Sequence, residues 1–323
     1  MILYYNGLKF LKLYFVYTIF IYRKGGGQNL VLAADVMRII VVGLGLIGGS
    51  ICKAIKEFTE YHVIGVDADD TALDLAISME AIDEVIPMHR LDLLDRGDLV
   101  FVCIPPGEAV KFLLENANNF KRGAIVTDVC GVKNYVVSNV EETMRAAGVE
   151  FIGSHPMAGT EYSGFTFSKS NLFVNASYLV TPTEHTDRAK LEVLKNFAKE
   201  IGFRSVLETS PERHDESIAY TSQLGHVVSN CYIRSKTLSK EKGFSAGTFL
   251  DMTRVARLDE TIWSELFLLN KDNLLNEIEM LMEHLQEHKD ALLAEDRDKI
   301  KSMLRRGKML KQQNVQEKRT IHE

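Results

Sequence analysis

His155 stands inside Gly153-Ser154-His155-Pro156-Met157-Ala158-Gly159-Thr160-Glu161-Tyr162-Ser163-Gly164, where a short apolar run gives way to a loop rich in glycine. An imidazole exchanges its proton near neutral pH, so a histidine at such a place has the chemistry of a general base. On this context alone, a histidine satisfied by structural hydrogen bonds fits as well. A second group is His214, Ser222 and His226, with Asp215 beside the first. Together with Ile218 they recur at every fourth position, a slowly drifting stripe on one helix face. A solvated polar face is the plain alternative, but Ile218 lies in the stripe and Val227 and Val228 adjoin it, which points to partial burial. The third group is Asp251-Met252-Thr253-Arg254-Val255-Ala256-Arg257, followed by Trp263, the one tryptophan of the chain. Arg254, among apolar neighbours, offers a planar fork for a carboxylate. Taken singly, Arg254 or Arg257 also fits a surface salt bridge and Trp263 a place in the core.

A fourth pattern concerns a cofactor. Gly43-Leu44-Gly45-Leu46-Ile47-Gly48 follows an apolar run and opens a helical stretch. In G-x-G-x-x-G the first glycine makes the tight turn, the second admits the pyrophosphate and the third packs helix on strand. The helix start, with Leu46 and Ile47 in its first turn, then offers free N–H groups to the phosphates. Asp67 comes about 20 residues further on, at the end of the next apolar run, where a carboxylate accepts from an adenine-ribose 2′-hydroxyl and repels a 2′-phosphate. Ala68, Asp69 and Asp70 follow, with no arginine, so the pattern favours NAD over NADP.

The elements needed to position these groups are legible in the periodicity. Apolar runs at 39–42, 63–66, 99–104, 125–127, 151–153 and 178–180 read as strands, with helical stretches at 48–56, 71–79, 109–117, 136–147 and 189–201 and a last strand at 204–207. Such alternation predicts an α/β fold, a doubly wound, mostly parallel sheet of the Rossmann type covered on both faces. Beyond Ser210-Pro211 only helices are expected, at 214–235, 248–258, 261–294 with a break, and 296–311. The predicted organisation is an extension over 1–36, a dinucleotide-binding domain over 37–209, a helical substrate and dimerisation domain over 210–311 and a polar, fraying tail over 312–323. Residues 8–22 are apolar and aromatic but shorter than the ~20 residues of a membrane span. Met37 directly precedes the first strand, and the preferred reading of 1–36 is a non-native upstream extension, with a membrane anchor as the lesser one.

The bulk composition narrows the function. In 323 residues, 46% hydrophobic and 25% charged, a net charge of −6 leaves no basic stripe for nucleic acid. Cys52, Cys103, Cys130 and Cys231 are far apart, so neither a zinc site nor a disulfide framework is expected and a reducing cytoplasm is the default. No metal is indicated, and no membrane partner.

These motifs in combination resemble the prephenate/arogenate dehydrogenase family, from about Met37 to about Lys311. The resemblance rests on V-G-L-G-L-I-G-G-S, S-H-P-M-A-G-T-E-Y-S-G, H-D-x₆-S-x₃-H, and D-M-T-R-V-A with a following tryptophan. It implies NAD-dependent oxidative decarboxylation of a carboxylated ring alcohol, prephenate or arogenate, in tyrosine biosynthesis. It also implies that His155 takes the hydroxyl proton and Arg254 holds a carboxylate, with Ser222 and His226 in the same pocket. Glu161 and Asp251 match acidic positions near that arginine, and His214 and Trp263 match further pocket residues. Gly131, in Asp128-Val129-Cys130-Gly131-Val132-Lys133, stands where the family often has serine.

Three other readings compete. Arogenate in place of prephenate is the nearest, with Asp215 as a partner for its amine. A hydroxyacid dehydrogenase of the wider family would carry a catalytic lysine on the first long helix of the helical domain, where this chain has His214, Ser222 and His226. A non-catalytic NAD sensor would need none of His155, His226 and Arg254. The leucine-rich stripes at 266–285 exceed what one short bundle buries and predict a homodimer.

Overall fold

The computed structural model describes residues 2–5, 8–11 and 36–320. They divide into two units, Met1–His214 and Asp215–Glu323. The expectation for residues 1–36 falls outside the described residues, apart from Val36 and a short antiparallel pair, Ile2–Tyr5 (β1) with Leu8–Leu11 (β2).

The core of the first unit is a six-stranded, all-parallel sheet. Its strands are Arg38–Val42 (β3), His62–Val66 (β4), Glu84–Val85 (β5), Leu99–Val102 (β6), Ile125–Asp128 (β7) and Glu150–Phe151 (β8), in the spatial order β5-β4-β3-β6-β7-β8. The order reverses between β3 and β6, the switch point where doubly wound sheets take ligands beyond the strands' carboxyl ends. β3, β6 and β7 are buried almost throughout, since helices cover both faces and leave no solvated side for polar alternation. One face carries Ile39, Val41, Leu99 and Phe101 against Ile51, Ile55 and Phe197, and the other Ile40, Val42, Val100 and Val126 against Leu113, Val136 and Val140. The helices are Leu46–Phe58 (α1), Asp70–Ser78 (α2), Pro106–Asn116 (α3), Asn134–Ala146 (α4) and Arg188–Glu200 (α5). Asp69 and Asp187 cap α2 and α5 by accepting from backbone N–H groups of the first turn.

The single strand expected at 151–153 is two strands of two sheets. β8 ends at Phe151, and Gly153–Pro156 (β9) pairs antiparallel with Ser177–Thr181 (β10), which pairs parallel with Ser205–Glu208 (β11). Gly153 allows the passage: a Cβ there would lie 2.5 Å from Thr181 Oγ1 and 2.8 Å from Val137 Cγ2. Periodicity cannot register a change of sheet that takes a single residue, Ile152.

The second unit is helical. The helix expected over 214–235 is interrupted: Pro211–Ile218 (α6) passes into a π turn, Ala219–Gln223, before Leu224–Ile233 (α7). Leu224 N–H donates to Ala219 C=O, five residues back, so the turn holds one residue more than an α-helical one. It is fixed by polar groups: Asn270 Nδ2 donates at 2.8 Å to both Gln223 Oε1 and the Asp215 carbonyl, and Gln223 Nε2 donates to Leu266 C=O. Gly247–Thr253 (α8) tightens into a 3₁₀ turn at Arg254–Ala256, shorter than the helix expected there. Asn270 supplies the expected break between Glu260–Leu269 (α9) and Lys271–Leu293 (α10). Arg297–Thr320 (α11) continues well past Lys311, so the polar tail expected to fray is helical as far as Thr320. Its residues are good helix formers, lysine, glutamine, arginine and glutamate, which a reading by apolar period alone passes over.

Candidate active site

The glycine turn is built as its spacing predicts. Gly43 takes φ +87°, and a Cβ on it would meet the Cys103 carbonyl at 2.6 Å. At Gly48 a Cβ would lie 1.9 Å from Gly43 O, so only hydrogen lets α1 start so close to the turn. Gly45 is different, because a Cβ there would meet no protein atom within 4 Å. Its lack of a side chain keeps open space open, as close approach of a pyrophosphate requires. Gly45 is also the N-cap of α1, which has no side-chain cap and no acidic residue in its first turn, leaving backbone N–H groups and the positive dipole end for an anion. Asp67, just past β4, accepts from Leu44 N–H at 2.5 Å through Oδ2 and from Asp69 N–H at 2.8 Å through Oδ1. A carboxylate has about four acceptor positions, so it can brace the turn and still receive a ribose hydroxyl. These residues fit a dinucleotide.

His155 lies on β9 and is half-buried. Its Nδ1 is 2.9 Å from Nε2 of His214, a buried residue of α6, with the ring centroids 5.1 Å apart. Burial first, then the neighbouring His214 and Lys133, hold the His155 imidazole well below the ordinary histidine range. It is therefore neutral at neutral pH.

Beneath it lies a polar cluster that sequence reasoning did not single out. Asp128 at the end of β7 and Lys133 just before α4 are both fully buried and form an ion pair. Lys133 Nζ donates to the Ser154 carbonyl at 2.6 Å, and Ser154 N–H donates to Asp128 Oδ1 at 3.2 Å. Asp128 Oδ2 also accepts from Cys130 N–H, and so closes the turn that contains Gly131. Ser154 Oγ, Thr127 Oγ1 and Tyr178 OH complete the network, with Ser154 2.9 Å from Thr127 and 2.6 Å from Tyr178. The signal available in the sequence was an aspartate at a strand end with a lysine five residues on, in a stretch otherwise apolar.

Within the second unit, His226 on α7 packs against Trp263 on α9, ring centroids 3.8 Å apart. His226 Nδ1 lies 3.1 Å from the Val255 carbonyl, which can only accept, so Nδ1 carries the proton and Nε2 a lone pair. Desolvation lowers the His226 pKa, the Val255 bond raises it and the Arg254 charge lowers it again. Arg254, expected among apolar neighbours, is exposed on the 3₁₀ turn, because the tightened end of α8 turns it outward. Asp251 is exposed on α8, and Glu161 on the loop over 157–164. Ser222 is half-buried on the π turn. The extra residue there turns everything after it by about 100° relative to an unbroken helix, so His214, Ser222 and His226 are not one continuous stripe. Among the described residues no group of His, Cys, Asp and Glu could hold a metal, and no helix is long and apolar enough to cross a membrane.

Comparison with known proteins agrees with this arrangement. Residues 51–207 match the family described as prephenate dehydrogenase, nucleotide-binding domain, and residues 210–306 match prephenate dehydrogenase, dimerization domain. Prephenate dehydrogenase of Bacillus subtilis (strain 168) is 32% identical over 273 residues, covering 81% of this chain and 72% of that protein. Cyclohexadienyl dehydrogenase of Zymomonas mobilis is 29% identical over 267 residues, covering 80% of this chain and 90% of that protein. Among solved structures, prephenate dehydrogenase from A. aeolicus, in complex with hydroxyphenyl propionate and NAD+, has a TM-score of 0.74 at 27% identity, covering 87% of this chain and 99% of that one. Arogenate dehydrogenase from Synechocystis has a TM-score of 0.73 at 27% identity, covering 86% of this chain and 100% of that one.

Proposed function

The chain belongs to the prephenate dehydrogenase family, and we propose that it catalyses the NAD-dependent oxidative decarboxylation of prephenate to 4-hydroxyphenylpyruvate in the cytoplasm, as a homodimer. The observation that carries this reading is a neutral, half-buried imidazole at His155, oriented by His214. NAD+, when bound, supplies the hydride acceptor.

The protein's part is to bind, orient and move one proton. The glycine turn and the start of α1 take the pyrophosphate on backbone N–H groups, and Asp67 takes the adenine-ribose hydroxyl. For His155 to act as base at Nε2, its remaining proton must sit on Nδ1 and be donated to His214 Nε2, with His214 protonated on Nδ1. His214 thereby fixes the tautomer and the ring plane. His155 Nε2 then accepts the ring hydroxyl's proton as the carbon beneath it loses hydride; the dienone so formed loses the ring carboxylate as CO₂ and becomes aromatic. A base positioned in this way contributes about 10²–10⁴-fold. Its low pKa in the free protein is offset on binding, because substrate carboxylates nearby favour the imidazolium. Arg254 is assigned a bidentate fork for a carboxylate, and within the second unit the Nε2 lone pair of His226 and the ring of Trp263 are assigned to substrate binding. Glu161, Asp251 and Ser222 are assigned supporting roles in substrate binding.

Arogenate is the second reading, favoured by the likeness to an arogenate dehydrogenase at nearly the same TM-score. Following NADH at 340 nm with NAD+ and either prephenate or arogenate decides between them. Turnover of prephenate at least ~10-fold faster supports the proposal, and turnover of arogenate alone replaces it. Turnover of neither, by folded protein that binds NAD+, overturns it.

A further inference from the structure

We propose that the buried ion pair of Asp128 and Lys133 is the positioning element of His155, gripping the Ser154 peptide from both sides and placing a fixed positive charge on the protein side of the imidazole. The inference rests on His155 being the base. Both side chains are fully buried and neither touches solvent, so the pair is not a surface ornament. A buried ion pair is seldom the most stable filling for its space, since an apolar pair of like volume does as well or better. Something other than stability is therefore expected of it.

The hydrogen bonds show what that is. Asp128 Oδ1 accepts from Ser154 N–H at 3.2 Å, and Lys133 Nζ donates at 2.6 Å to the Ser154 carbonyl, the oxygen of the peptide that leads into His155. The backbone carrying the base is thus fixed by side chains from β7 and from the turn before α4, in addition to the β9–β10 pairing of His155 with Leu179. The same carboxylate holds Cys130 N–H, so the turn bearing Gly131 and the backbone bearing His155 move as one piece. Where the family often has a serine hydroxyl, this chain keeps the brace beneath it.

The titratable groups facing His155 are His214 from α6 and Lys133 from the turn before α4, with Asp128 from β7 paired to that lysine. Lys133 disfavours the imidazolium, in the same direction as burial and His214. Removing its charge should move the proton-uptake midpoint of His155 upward.

The test uses full-length protein with Lys133→Met, which removes the cation, and the paired Asp128→Asn/Lys133→Met, which leaves no unpaired charge and so remains foldable if the single change is not. Two quantities are read. One is the midpoint of His155 by NMR of histidine-labelled protein, assigned through His155→Asn, and the other is the pH profile of kcat and of kcat/KM. The expected result is an upward midpoint shift in every variant that folds, a matching shift of the acid limb of kcat/KM, and a kcat fall of about 10-fold to 10²-fold, the range that small misplacements of a reacting group produce. KM for substrate should change less than kcat, and Lys133→Arg should retain the wild-type midpoint. A folded paired variant with unmoved midpoint and wild-type kcat overturns the proposal. If His155→Asn keeps the acid limb of the wild type, it is the assignment of the base that fails, an outcome distinct from the first.

Discussion

In the free protein His155 is surrounded by conditions that oppose its charge: it is half-buried, His214 is 2.9 Å away, and Lys133 lies beneath. The neutral form is thus the resting form, and a base in that state needs no deprotonation before it works. His155→Asn removes the lone pair while keeping a side chain of similar reach, and kcat is expected to fall by at least ~10²-fold with NAD+ affinity retained, as measured by fluorescence titration. The wild-type kcat/KM should be flat near neutrality and decline as pH falls, on a limb below the ordinary histidine value of 6.5, and the variant should lack that limb. Stability has the same sign. Below about pH 6.5 the unfolded chain binds a proton that folded His155 refuses, so its contribution becomes more unfavourable as pH drops toward the folded midpoint. At Arg254 the expected effect is on binding: Arg254→Gln should raise KM for substrate ~10-fold or more, since charged hydrogen bonds to a carboxylate contribute roughly 1.5–3 kcal/mol. An unchanged KM would remove Arg254 from the substrate contacts.

At the level of elements, two glycines of one turn make opposite demands, and they can be told apart. Adding a methyl at Gly48 puts carbon 1.9 Å from a backbone oxygen, whereas adding one at Gly45 meets nothing. Gly48→Ala is therefore expected to lower the melting temperature and disturb the fold locally. Gly45→Ala should melt as wild type but bind NAD+ at least ~10-fold more weakly, because the new methyl occupies the approach of the pyrophosphate. Calorimetry with a parallel NAD+ titration reads both, and normal affinity in Gly45→Ala would put the cofactor elsewhere. The π turn at Ala219–Gln223 is the other element-scale device. It resets the phase of α7 and is held by Asn270 and Gln223, polar side chains buried to 4% and 1% exposure. A helix that only packed apolar faces would need neither.

For the molecule as a whole, the second unit buries little of its apolar surface. Leu275, Met282, Leu285 and Leu292 along α10 are 50%, 62%, 59% and 66% exposed. With Ile278 they recur at steps of three, four, three and seven residues, the heptad seam of a helix that packs against another. Residues 210–306 match a dimerization domain, which accounts for such a seam. Each leucine buried there is worth about 1.5–3 kcal/mol, so a double change, Met282→Glu with Leu285→Glu, should turn a dimer into a monomer in analytical ultracentrifugation. Persistence of the dimer would place the contact on another face.

The sequence by itself determined the parallel sheet and the cofactor turn, and it supplied His155 as the proposed base, because each reading depends on short-range rules. Apolar runs at strand length become buried strands, glycines at fixed spacing leave room for phosphate, and histidine is the side chain suited to proton transfer near neutrality. Only the tertiary structure decided what depends on residues far apart in the chain meeting. The pairing of His155 with His214 spans 59 residues, and the contact of Ser154 with Lys133 spans 21. The change of sheet at Ile152 and the π turn were invisible for a related reason: each displaces the pattern by one residue, and a period read over a window averages one residue away. Lys133 drew no reading in the sequence, because its burial against Asp128 exists only once the fold closes over both.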